Sequence, residues 1–109
     1  MKLLEKDIQR AILDYLAYRK IFAWANKTQG TFDPVRKVFR AGTTAKGIPD
    51  ILGILPGGRF LGIEVKRKGN YASPDQKDFI ARAEALNAAC FVAYSVEDVQ
   101  KRLDSFQVK

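Results

Sequence analysis

The apolar positions change their period along the chain. Between residues 3 and 20, Leu4, Ile8, Ile12, Tyr15 and Leu16 share one side of a helical wheel, and Lys6, Asp7, Arg10 and Asp14 point away. That spacing predicts an amphipathic helix. Residues 21–26, IFAWAN, predict a strand in which Trp24 packs into the core. KTQGTFDP reads as a polar loop, VRKVF as a short strand and AGTTAKG as a flexible stretch. Strands follow at about 50–55 and 60–66, on either side of Pro56-Gly57-Gly58. Ser73, Pro74 and Gln76 have the order of a capping box with proline at the first helical position. The helix they open presents Phe79, Ile80, Ala83 and Leu86 as its apolar face. AACFVAY predicts a strand, and Ser95 caps a last helix, VEDVQKRLDSF, with Asp98 three residues on. The order α-β-β-β-β-α-β-α, spanning 1–109 as a single domain, is that of an α/β fold with helices packed on a mixed sheet.

Charged groups interrupt this pattern where burial is expected. In the strand from Arg59 to Lys66, Leu61, Ile63 and Val65 share one face and Gly62, Glu64 and Lys66 the other. Glu64 and Lys66 are then same-side neighbours, about 7 Å apart along the strand. Asp50 begins the partner strand, and the turn decides whether it meets Glu64. A three-residue loop, Pro56 to Gly58, pairs Leu55 with Arg59 and sets Asp50 opposite Glu64, with side chains about 5 Å apart. A two-residue Gly57-Gly58 turn pairs Asp50 with Val65 and turns it away. The first register is adopted because it brings the carboxylates together, with room beside them over Gly62. Adjacent carboxylates repel unless a cation intervenes. Mg²⁺ suits such a site, since it takes one or two carboxylates plus water and phosphate oxygens. Lys66 would then orient water or neutralise developing charge. Glu5 falls between Ile12 and Leu16 on the wheel, inside the apolar face, and is a candidate third acidic group.

Composition narrows the chemistry. The 109 residues include no histidine and one cysteine, so histidine-based triads, histidine-ligated metals and an internal disulfide are excluded. Cys90, inside an apolar run, reads as a buried core residue. No apolar run reaches the roughly 20 residues of a membrane helix, and Glu5, Lys6 and Asp7 break any signal-peptide core. These features point to a reducing cytoplasm and to no membrane partner. The net charge of +7 favours polyanions, chiefly nucleic acid.

Ile48-Pro49-Asp50, followed after thirteen residues by Glu64-Val65-Lys66, resembles the PD-(D/E)XK nuclease signature. With Lys46-Gly47 before it, Glu5 on the first helix and Ser73-Pro74-Asp75-Gln76 after it, the chain is similar to the virus-type replication-repair nuclease (VRR-NUC) branch, from Glu5 to the last helix. The resemblance implies a restriction-endonuclease-like core, with a central mixed sheet flanked by helices. It further implies DNA phosphodiester hydrolysis, as in repair, with Mg²⁺ or Mn²⁺. In that family's terms Asp50 and Glu64 ligate metal together with the Val65 carbonyl, and Glu5 contacts it directly or through water. Lys66 positions or activates the nucleophilic water, and Gln76 sits beside the site. Stand-alone members resemble homodimers that resolve four-way (Holliday) junctions, which would place the protein in the nucleoid, or in host cytoplasm if phage-encoded.

Lys66-Arg67-Lys68 leads out of this site, and Arg36, Lys37, Arg40 and Lys46 lie upstream of Asp50. Arg36, Lys37, Arg40, Lys46, Arg67 and Lys68 together are candidates for phosphate contacts on both flanks. Trp24, Phe32 and Tyr71 are candidates for base stacking. Two rival functions fit the same charge: a non-catalytic DNA-binding module on this fold, and a protein-interaction domain whose charge serves solubility.

Overall fold

A computed structural model describes residues 3–27, 31–40 and 45–108, with the backbone alone for 31–33 and 38–40. Helix α1 (Glu5–Tyr18) leads into strands β1 (Phe22–Ala25), β2 (Thr31–Asp33), β3 (Val38–Arg40), β4 (Ile51–Ile54) and β5 (Phe60–Val65). Helix α2 (Pro74–Ala85), strand β6 (Ala89–Ala93) and helix α3 (Val96–Ser105) complete the order. One strand was not expected: β2 lies in the stretch read as a polar loop. It pairs antiparallel with β3 as a separate hairpin, Thr31 opposite Arg40. Phe32 and Arg40 belong to that hairpin, and their side chains lie outside the described residues, as do residues 41–44.

The main sheet has the order β1-β4-β5-β6 and is mixed. β1 and β4 pair antiparallel, as do β4 and β5, whereas β5 and β6 run parallel. Parallel pairing requires a crossover, and α2 supplies it. The β4–β5 register is Ile51↔Ile63 and Ile54↔Phe60, and Leu55 N–H donates to Arg59 O at 2.8 Å. The turn is thus the three-residue one, and the register projects Asp50 opposite Glu64.

One sheet face carries the core. Ile51, Leu55, Leu61, Ile63, Val65, Phe91 and Ala93 point towards Ile8, Ile12 and Leu16 of α1 and Val99 and Leu103 of α3. Each such aliphatic or aromatic side chain contributes about 1.5–3 kcal/mol on burial, so the α1 stripe explains why that helix docks. Leu4, expected on this stripe, precedes the helix as its N-cap and is 45 % exposed.

The other face is covered only in part. α2 crosses it beside β6, but none of its residues is fully buried, and Leu86 is 85 % exposed. The expected apolar face of α2 therefore does not enter the core: Phe79 and Ala83 border a groove of about 630 Å³ with Phe60 and Lys46. Trp24 is also not in the core. The β1 pattern places Ala23 and Ala25 inward and Phe22 and Trp24 outward. Trp24 packs on Phe22 with ring centroids 5.1 Å apart and is 42 % exposed.

Both predicted caps form. Ser73 Oγ accepts from Gln76 N–H, while Gln76 Oε1 accepts from Ser73 N–H at 2.8 Å. Ser95 Oγ accepts from Asp98 N–H, but the Asp98 carboxylate reaches Tyr94 N–H instead of closing on Ser95. Among the described residues, no helix is long and apolar enough to cross a membrane.

Candidate active site

The Asp50 carboxylate stands where the β4–β5 ladder stops. Its Oδ2 accepts from Val65 N–H at 3.0 Å, while its carbonyl accepts from Asn26 N–H at 2.7 Å. The backbone of Asp50 thus continues pairing with the β1 side, and its side chain replaces a backbone acceptor on the β5 side. Asn26 Nδ2 donates to Pro49 O at 3.2 Å, securing the same turn from β1.

Two glycines aim this turn. Gly47 has φ +72, and a Cβ there would lie 2.2 Å from Asp75 O and 2.7 Å from Gln76 N. Only glycine lets the turn approach the start of α2 so closely. Gly62 is the second. A Cβ there would meet Cys90 Sγ at 3.0 Å and Pro49 Cγ at 3.1 Å. The space over Gly62, expected to be open beside the site, is thus filled by the buried Pro49 ring. The Gly47-Ile48-Pro49-Asp50 run is a fitted wedge between β5 and α2 that delivers Asp50.

Glu64 is 2 % exposed, the one buried charged residue among those described. Its Oε1 has no hydrogen-bond partner. Burial pushes its carboxyl up to about 9 from an ordinary 4.5. A hydrogen bond with Asp50 and repulsion from its charge add to this, Lys66 opposes it, and Glu5 adds a further upward push. A buried polar oxygen left unpartnered is costly. A carboxylate pair with an orphaned oxygen, built only of oxygen donors, fits a hard divalent cation. Val65, whose side chain is in the core, has its main chain beside Asp50.

The other candidates fall at different distances from this pair. Lys66 is half-buried directly after β5, its N–H donating to Ala93 O at 3.0 Å. Glu5, the first residue of α1, accepts from Asn70 Nδ2 at 3.1 Å. It is near enough for its charge to reach Glu64. Among the described residues, however, no three acidic, histidine or cysteine side chains converge tightly enough to hold an ion. Gln76 has its side-chain oxygen engaged in the α2 cap. Lys46 borders the groove beneath α2; Arg67 is half-buried; Arg36, Lys37 and Lys68 are exposed. Cys90 is buried and its thiol is pushed up to about 12 by burial, with Glu84 and Glu64 adding to the effect. It is an unreactive core residue. Asn70 and Tyr94 were not singled out in the sequence. Asn70 bonds Glu5 across 65 positions and Tyr94 bonds Asn70 across 24, and neither contact leaves a local signature.

A mixed four-stranded sheet with helices on both faces makes this an α/β domain, and it carries a carboxylate pair followed by a lysine. The VRR-NUC domain model matches residues 4–97, and the chain belongs to that family. Two solved structures share the fold. One, a VRR_NUC domain, is 22 % identical with a TM-score of 0.65, covering 92 % of this chain and 94 % of its own. The other, a VRR_NUC domain protein, is 19 % identical with a TM-score of 0.64, covering 95 % and 91 %. No curated protein matches the chain significantly.

Proposed function

We propose that this chain is a divalent-metal-dependent endonuclease that hydrolyses DNA phosphodiesters and prefers branched substrates, four-way junctions above all. The observation that carries this reading is Glu64: buried, without a partner for Oε1 and set against Asp50. As a purely structural pair it would be an expense to the fold. As half of a metal centre it is what the chemistry needs.

Asp50, Glu64 and the Val65 carbonyl would hold Mg²⁺ or Mn²⁺, which supplies Lewis acidity and a more acidic bound water. Glu5 would act from the next layer outward. Lys66 lies on the Glu64 side of the strand and would orient the attacking water or offset charge growing on the phosphate. Lys46, Arg67 and Lys68, near the pair in sequence, would contact phosphates, and Arg36, Lys37 and Arg40 belong to the same proposed set. The +7 charge supports such a track.

A homodimer belongs to the same proposal. Phe22, Ile54 and Phe60 are cross-strand neighbours on the partly covered face, at 68, 44 and 39 % exposure, with Trp24 beside them. Aromatic side chains present roughly 150–250 Å² each, so these four leave about 400 Å² of apolar surface open. A standard dimer buries about 800 Å² per partner with an apolar centre. The patch is of the size of such a centre, and a second copy of the chain is the occupant we assign to it.

The deciding experiment incubates labelled four-way junction, flap and linear duplex with and without Mg²⁺. The expected result is Mg²⁺-dependent scission, fastest on the junction and absent in the D50N/E64Q double variant. Scission by the double variant would refute the site. Junction binding without scission under any divalent metal would assign the chain as a non-catalytic DNA-binding module instead.

A further inference from the structure

Helix α1 alone does not fix the Glu5 carboxylate. It opens that helix, preceded by Leu4, whose side chain makes no capping hydrogen bond. Helix ends without such a cap fray readily. What holds the Glu5 carboxylate comes from elsewhere: Asn70, in the loop after Lys66, donates Nδ2 to Glu5 Oε2 at 3.1 Å. That loop is itself braced. Asn70 N–H donates to Arg67 O at 3.0 Å, and the Tyr94 hydroxyl donates to Asn70 O at 2.9 Å. Tyr94 is tied in turn by its N–H to Asp98 Oδ2 at 2.8 Å, in the first turn of α3. A continuous chain of hydrogen bonds thus runs from the start of α3 through Tyr94 and Asn70 to Glu5.

We infer that Asn70 is a positioning residue that holds Glu5 towards the Asp50–Glu64 pair, with Tyr94 fixing the loop that carries it. The inference rests on the metal-centre reading above. An amide suits the task. It donates to one carboxylate oxygen without adding charge, whereas a lysine would neutralise Glu5 and an aspartate would repel it. Outer partners of this kind typically change metal affinity by 10–100-fold. Here the loop is exposed, and the effect falls at or below the bottom of that range.

The test is calorimetric titration of Mn²⁺ into the full chain without DNA, for wild type, N70A, N70D, Y94F, E5A and E5A/N70A, with a thermal melt of each. The expected result is a 3–10-fold weaker Mn²⁺ affinity for N70A, a larger loss for N70D and a smaller one for Y94F. The double variant should bind no more weakly than E5A, because Asn70 acts only through Glu5. If N70A binds Mn²⁺ as wild type does, or if its loss adds fully to that of E5A, the inference is overturned while the metal centre stands. If N70A fails to fold, Y94F and N70D decide by the same criterion. Wild type that binds no Mn²⁺ would instead bring down the metal-centre reading, and this inference with it.

Discussion

Asp50 bonds to Val65 through a side chain at the point where two strands cease to pair through their backbones. This dual position makes Asp50 both the last rung of the ladder and the first member of the proposed site. The two roles separate on substitution. Asn keeps an acceptor for the Val65 N–H but loses the charge; Ala loses both. D50N should retain the wild-type melting temperature within a few degrees while cleavage falls roughly 100-fold or more. D50A should lose as much activity and also about 1–3 kcal/mol of stability, from the stranded N–H. Parallel melts and cleavage assays check this; equal destabilisation by both variants would count against it.

The Glu64 carboxyl links stability to pH. Its folded value of about 9 lies above the ordinary 4.5. A raised value means that the neutral form is the one the fold favours. Its contribution is therefore fully present below pH 4.5 and is lost as pH rises through 9. In EDTA, wild type should lose stability between pH 5 and 9 relative to E64Q, which stays neutral throughout. Mg²⁺ should reverse the trend, since its binding displaces the proton and tightens as pH rises. Melts at pH 5, 7 and 9 with and without metal read both effects. A wild-type minus E64Q difference that does not move with pH would contradict the assignment.

Gly47 and Gly57 both have positive φ, yet they should tolerate alanine very differently. At Gly57 nothing lies within 4 Å of an added Cβ, so G57A should cost about 1 kcal/mol of backbone strain. At Gly47 the added atom collides with the backbone of α2. G47A should cost at least twice as much and lower cleavage as well, because Asp50 moves with the turn. Chemical denaturation of the two variants compares them directly.

The apolar row across β1, β4 and β5 gives a further expectation. I54D places a charge at its centre, on an exposed side chain outside the core. Sedimentation should show a dimer for wild type and a monomer for I54D, with the melting temperature little changed. A wild-type monomer at working concentration would remove the homodimer from the proposal.

Much of this molecule was legible in its sequence. The α1 stripe, the Ser73 and Ser95 caps and the strand pair about Pro56-Gly57-Gly58 follow from period and turn chemistry. The register was open in sequence; Leu55 pairing with Arg59 resolves it. The errors share a cause. Trp24 is expected in the core, and Phe79–Leu86 as the apolar face of α2, because they are apolar, but apolar character does not say which sheet face a neighbour covers. The strand at Thr31–Asp33 was hidden by its polar surroundings. The wedge of Pro49 on Gly62 and the tether from Asn70 to Glu5 join positions 13 and 65 apart, and no local pattern encodes such contacts.

Trp24 is the sole tryptophan of the chain and stands partly open to water on the partly covered face. The protein therefore carries its own optical gauge. Its emission comes from one place and starts from a wet environment. A second copy closing over that surface, as proposed above, would shift it to the blue with no label attached.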